Sequence, residues 1–100
     1  MKREVLCGRI ASQPSAVTLN GAQTGVMVFV LVEVDGKYHK LHYKDTIPDN
    51  TFSNILVSSV GDDVEVIVLS SYYHGARQII EFFNCTRGLG KHGDKHTFSK

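Results

Sequence analysis

Along this chain, apolar residues come in short runs separated by turn chemistry, and only one stretch switches to a helical period. Val5-Leu6-Cys7-Gly8-Arg9-Ile10 has strand composition, and Gly8 within it predicts a bulge or a bend. Pro14, Asn20-Gly21 and Gly25 punctuate the next stretch and leave one extended piece at Ala16-Val17-Thr18-Leu19, so the first strand is either long or broken. Residues 26–34 are dominated by β-branched and apolar types and read as a strand that is mostly covered. Asp35-Gly36 leads directly into another strand over residues 37–44. A two-residue Asp-Gly link needs positive φ at both positions, and this fixes the hairpin register. Val34 then faces Lys37, Glu33 faces Tyr38, Leu31 faces Lys40 and Phe29 faces His42. By alternation, one face carries Val28, Val30, Val32 and Leu41 with His39 and Tyr43, a core face. The other carries Met27, Phe29, Leu31, Tyr38, Lys40, His42 and Lys44, and is basic and aromatic.

After Pro48 the period changes. Phe52, Ile55, Leu56 and Val60 recur at helical spacing, with Asp49, Asn50 or Thr51 as the cap and Gly61 as the stop. Residues 64–69 form a strand, residues 70–76 a polar loop holding Tyr72, Tyr73 and His74, and residues 77–85 the last strand. Five strands with one short helix between the third and fourth is the order of the OB-fold, an all-β Greek-key barrel. The barrel is expected over residues 1–86. From residue 87 to 100 the composition turns to Gly, Lys and His, and a flexible basic tail is expected, carrying Arg87, Lys91, Lys95 and Lys100.

The same residues resemble a known family. Val5-Leu6-Cys7-Gly8-Arg9-Ile10 followed by Pro14, Asn20-Gly21 before the second strand, Tyr38-His39-Lys40-Leu41, and Val60-Gly61-Asp62-Asp63-Val64-Glu65-Val66 are similar to segments of the bacterial single-stranded-DNA-binding proteins and the related primosomal replication protein N. The similarity runs from about Glu4 to Thr86. It implies single-stranded DNA as partner, a homodimer or homotetramer, and a place beside other replication proteins. It sets Tyr38 where the family has a stacking Trp, and Tyr72 and Tyr73 in a hairpin that carries an aromatic platform. Two departures stand out: the chain has no Trp, and residues 95–100 are basic where the family's main members end in an acidic recruiting tip.

Composition narrows the field less. One hundred residues make one small domain, and 11 Lys+Arg against 10 Asp+Glu give a net charge of +1, which excludes a bulk polycation. Electrostatic attraction must therefore come from where the charges sit. Two cysteines, Cys7 and Cys85, are too few for a disulfide-built secreted domain, and no apolar run is long enough to cross a bilayer. The cytoplasm is the expected location, with no membrane partner.

Non-specific single-strand binders combine a cationic groove with aromatic rings on which bases stack. Phe29 and Tyr38 on the hairpin, with Tyr72 and Tyr73, are the expected stacking rings, and Lys37, Lys40, Lys44, Arg77, Arg87 and Lys91 the expected phosphate contacts. His42 sits between Lys40 and Lys44 on the same face. An ordinary imidazole there becomes charged near pH 6.5, so affinity is expected to rise on acidification. The alternatives are an OB-fold that buries Phe29, Leu31 and Tyr38 against a partner protein, or one that binds RNA. Enzyme-like coincidences are weak. Gly88-Leu89-Gly90-Lys91-His92-Gly93 fits a dinucleotide fingerprint but lies in no strand–helix unit, and Cys85, His92 and His96, with or without Cys7, match no common zinc spacing. No nucleophile, paired-carboxylate or phosphate-loop motif is present, so neither catalysis nor a cofactor is expected.

Overall fold

A computed structural model describes residues 2–19, 25–45 and 50–90. Six strands and one helix run in the order β1 (Arg3–Leu19), β2 (Gly25–Val34), β3 (Lys37–Asp45), α1 (Asn50–Leu56), β4 (Asp63–Tyr73), β5 (Ala76–Asn84) and β6 (Leu89–Gly90). The sheet order is β3-β2-β1-β4-β5-β6, and a parallel pairing of β3 with β5 closes the first five strands into a barrel. With one short helix between β3 and β4, this is an OB-fold-like barrel.

The interior is filled by alternate residues from every strand of the barrel. Leu6 and Ile10 come from β1, Val28, Val30 and Val32 from β2, Leu41 from β3, Val64, Val66 and Val68 from β4, and Ile79 and Phe82 from β5. Ile55 of α1 is fully buried and closes one end, with Phe52 packed beside it. The β2–β3 register is the one that the Asp35-Gly36 turn dictates, with φ of 52° and 84° at those two residues.

β1 is a single long strand that serves two neighbours. Residues 3–9 pair with β4, and from Arg9 onward the strand pairs with β2. Gly8 is not a bulge. Its pairing with Val64 is regular, and its lack of a side chain answers to a close approach: a Cβ there would sit 2.1 Å from the Glu33 carbonyl oxygen. The irregularities lie further on, between Ile10 and Ser12 and between Ser12 and Ser15. Pro14 falls in the second of these, where the ladder is interrupted and a missing N–H leaves no gap.

The polar loop expected at residues 70–76 is instead a tight hairpin. β4 runs to Tyr73, and His74-Gly75, with φ of 51° and 80°, makes the turn into β5. The helix is shorter than its apolar pattern. It stops at Leu56, and Val60, expected on its buried side, is exposed. Ser58 is the reason: its Oγ donates to the Asn54 carbonyl at 2.8 Å, and its N–H turns back to the Ile55 carbonyl.

Asp62 looks in the sequence like part of a solvated acidic turn. In the fold it is buried, and its Oδ2 accepts from the Ser59 N–H (2.9 Å), Asn84 Nδ2 (2.9 Å) and Arg87 Nε (2.6 Å). Arg87, expected in a free arm, is therefore tied to the barrel, and β6 adds to the edge of β5 just beyond it. The Arg87 and Asn84 hydrogen bonds, together with that from Ser59, hold the Asp62 carboxyl down at about 2.

A carboxyl whose folded value lies below its unfolded value stabilises the fold above the unfolded value and loses that contribution as pH falls toward the folded one. Asp62→Asn should therefore lower the thermal midpoint at pH 7. The gap to the parent should shrink as pH falls from 4 to 2, measured by circular dichroism in both proteins. A gap that stays constant over that interval would show that the charge of Asp62 contributes nothing.

Candidate nucleic-acid interface

β3 carries the candidate side chains, and the strict alternation set by the Asp35-Gly36 turn sorts them. Tyr38, Lys40, His42 and Lys44 point to the outer face, opposite Glu33, Leu31, Phe29 and Met27 of β2. The two halves of this face differ. Toward the far end Met27 and His42 are buried, so that half is covered. Nearer the turn Lys40 is exposed and Tyr38 keeps 66% of its surface in solvent.

The β4–β5 hairpin does the covering. Tyr73 brings its ring to 5.8 Å from that of His42, which lies 6.3 Å from that of Phe29 on the other side. His74 adds an edge-on contact to Tyr73 at 4.3 Å. These rings pack on one another in a row. The adjacent Tyr72, pointing the opposite way along the extended strand, remains 64% exposed. Of the two tyrosines, then, one packs and one is presented.

His42 is expected from the sequence to face phosphate beside Lys40. Instead it is buried, with Nδ1 3.0 Å from the Ala76 carbonyl. A carbonyl only accepts, so Nδ1 carries the hydrogen and donates. Burial pushes the imidazole below its ordinary value, against a smaller upward effect of the Ala76 hydrogen bond. Charging this ring therefore works against its burial, and it does not lie on the surface as a phosphate contact.

Arg77 is also committed. Its Nη1 donates to Glu4 Oε1, and its Nη2 donates to His39 Nδ1 at 3.0 Å, so that β1, β3 and β5 meet at one guanidinium. Its side chain is 12% exposed, whereas that of Glu4 is 57% exposed. The Arg77 hydrogen bond, and then its charge, hold the Glu4 carboxyl below its usual value. Sequence gives no sign of Glu4 as a partner, because Arg77 lies 73 residues away.

Two concavities border Lys40. One, of about 300 Å³, is walled by Phe29 and Leu31 of β2 and by Ser12, Gln13 and Ser15 at the β1 irregularity. The other, of about 390 Å³, lies between Tyr38 and Tyr72, with Glu4, His39 and Arg77 along it. The structure thus brings together Phe29, Tyr38, Lys40, Tyr72 and Arg77 along one track across β3. Lys37 is exposed at the hairpin turn, and Lys44 lies partly buried further along the outer face. Tyr73 and His42 belong to the packed row of the covered half and line neither concavity. Lys91 falls outside the described residues, as do Lys95, Lys100, His92 and His96.

Cys7 and Cys85 are both free and exposed, with Cys7 Sγ 3.8 Å from Glu65 Oε2. Partial burial and then the charge of Glu65 push both thiols up. They share a concavity with Glu33, Asp35, Asp63 and Glu65, away from the Lys40 track. Among the described residues no three His, Cys, Asp or Glu side chains are grouped to hold a metal ion. Also among them, no helix is long and apolar enough to cross a membrane. Comparison with protein-family models, with curated proteins and with solved structures finds no match to the chain.

The burial of His42 has a measurable sign. Between its depressed value and about 6.5, the unfolded chain binds a proton that the folded chain does not, so stability rises with pH across that window. Carbon–proton NMR of the histidine rings should show His42 Cε1–H titrating below pH 6.5. His42 titrating at or above that value would mean that the ring is open to solvent and the hairpin does not cover it.

Proposed function

We propose that the chain binds single-stranded DNA, with little dependence on base sequence, as an accessory of replication, recombination or DNA transfer in the cytoplasm. The observation that carries this reading is the track on β3, where Tyr38 and Tyr72, each about two-thirds exposed, flank a concavity that adjoins Lys40. Exposed aromatic rings beside a cation are what a flexible strand needs: a π-face for each unstacked base and a positive charge for the backbone. Lys40 also borders the Phe29–Leu31 concavity, so aromatic surface continues on its other side. Duplex DNA offers no free base faces to these rings and should bind more weakly. The resemblance to the bacterial single-stranded-DNA-binding proteins and primosomal replication protein N supports the same reading.

Assembly into a homodimer or homotetramer belongs to the proposal. Residues 3–8 of β1 pair with β4 on one side, and pairing with β2 begins only at Arg9, so a strand edge is open to a second copy.

Fluorescence anisotropy with labelled thymidine oligonucleotides, RNA of the same length and duplex DNA, each at two salt concentrations, tests the reading. Single-stranded DNA should bind tightest. Tyr38→Ala should remove roughly 1–3 kcal/mol of affinity with the fold intact. Lys40→Gln should flatten the log–log salt slope by about 0.7 for one lost phosphate contact. A folded Tyr38→Ala protein that binds like the parent would refute the stacking assignment. Tighter binding to RNA would move the substrate to that class, and no binding to any strand would leave the face to a protein partner.

A further inference from the structure

The concavity between Tyr38 and Tyr72 is lined by both signs of charge: exposed Lys40 suits a phosphate, and the Glu4 carboxylate does not. Arg77 is nearly buried and committed to Glu4 and His39, so the charged groups left open to solvent are Lys40 and the Glu4 carboxylate. A carboxylate repels the backbone of a nucleic acid and accepts hydrogen bonds only from N–H or O–H groups. On a single strand, those donors are on the base edges. The flanking rings suit the same part of the strand, because each exposed tyrosine offers a face on which a base can stack.

We propose that this concavity is a base-reading subsite in which a base stacks against Tyr38 and Tyr72 and its Watson–Crick edge donates to Glu4, so that guanine is preferred at this one position. The inference rests on the single-strand reading and narrows it. Guanine presents two adjacent donors, N1–H and the N2 amino group, which match the two oxygens of a carboxylate. Adenine and cytosine present one amino group each. Thymine and uracil present a single N–H between two carbonyl oxygens, both of which repel the carboxylate. Arg77 acts as a positioning residue: it anchors Glu4 Oε1 from behind and keeps the carboxylate ionised, and His39 anchors Arg77 in turn. The Lys40 side of the track meets the backbone, and the Glu4 side meets the base.

The test compares an all-thymidine oligonucleotide with the same oligonucleotide carrying one central guanine or one central hypoxanthine, which lacks the N2 amino group. Anisotropy is read for the full chain and for Glu4→Gln, with circular dichroism to show that the variant folds. The guanine strand should bind the parent roughly tenfold tighter than the all-thymidine strand, the scale of one bidentate base contact. The hypoxanthine strand should fall between. Glu4→Gln should erase the guanine advantage and bind the all-thymidine strand at least as well as the parent. Tyr72→Ala, at an exposed position, should reduce guanine binding more than all-thymidine binding. Equal affinity of the parent for all three strands would overturn the subsite while leaving single-strand binding in place. A guanine advantage that survives in Glu4→Gln would also overturn it. Failure of every strand to bind would overturn the single-strand reading and the subsite with it.

Discussion

β1 has to belong to two sheets at once, and the barrel exists because it does. Arg9 is opposite both Asp63 of β4 and Glu33 of β2, and Ile10 then exchanges hydrogen bonds with the turn before β4 through the Asp62 carbonyl and the Gly61 N–H. The crossing brings the end of β2 so close that position 8 has no room for a side chain. Once β1 is bent this way, β2–β3 and β4–β5 face each other, Val28, Val30 and Val32 meet Val64, Val66 and Val68 across one interior, and β3 reaches β5. The seam between β3 and β5 is short, only Leu41 with Arg77 and His42 with Gln78. Side chains reinforce it on either side: His42 reaches the Ala76 carbonyl, and Arg77 gathers His39 and Glu4.

That short seam shapes the outer face. On one side of it, the hairpin folds over β3 and packs Tyr73 and His42 in a row against half-buried Phe29, which also walls the concavity beside Lys40. On the other, β3 and the hairpin diverge, and the gap is the concavity between Tyr38 and Tyr72. A ring that packs and a ring that is presented thus come from adjacent residues of one strand, because successive side chains in β structure point to opposite sides. The net charge of +1 permits attraction of a polyanion only where cations are local, and Lys40 is placed at the junction of both concavities.

Features decided by local chemistry are legible in the sequence. The Asp-Gly turn sets the β2–β3 pairing residue by residue, and the order of strands and helix points to the barrel topology. The β4–β5 hairpin reads as a loop because His-Gly is a less familiar turn pair than Asn-Gly or Asp-Gly, although His is among the residues enriched at positive φ. Adjacency alone puts Tyr72 and Tyr73 on opposite sides of an extended strand, but which one packs depends on His42, some thirty residues earlier in the chain. The roles of Glu4, Asp62 and Arg87 have no local signature, since the side chains that their charged groups pair with lie between 22 and 73 residues away. Charged residues look solvated in a sequence until the fold supplies the group that pairs with them.

On the proposed reading, a single strand lies along the track across Tyr38, Lys40 and Tyr72. Titrating isotope-labelled protein with a short single-stranded oligonucleotide and recording backbone amide shifts by NMR tests it most directly. The largest shifts should cluster at Tyr38, Lys40, Tyr72 and Gly75, with little change at Cys7, Glu65 and Cys85, which line a separate concavity. Shifts concentrated around Cys7, Glu65 and Cys85, or no shifts at saturating strand, would contradict it.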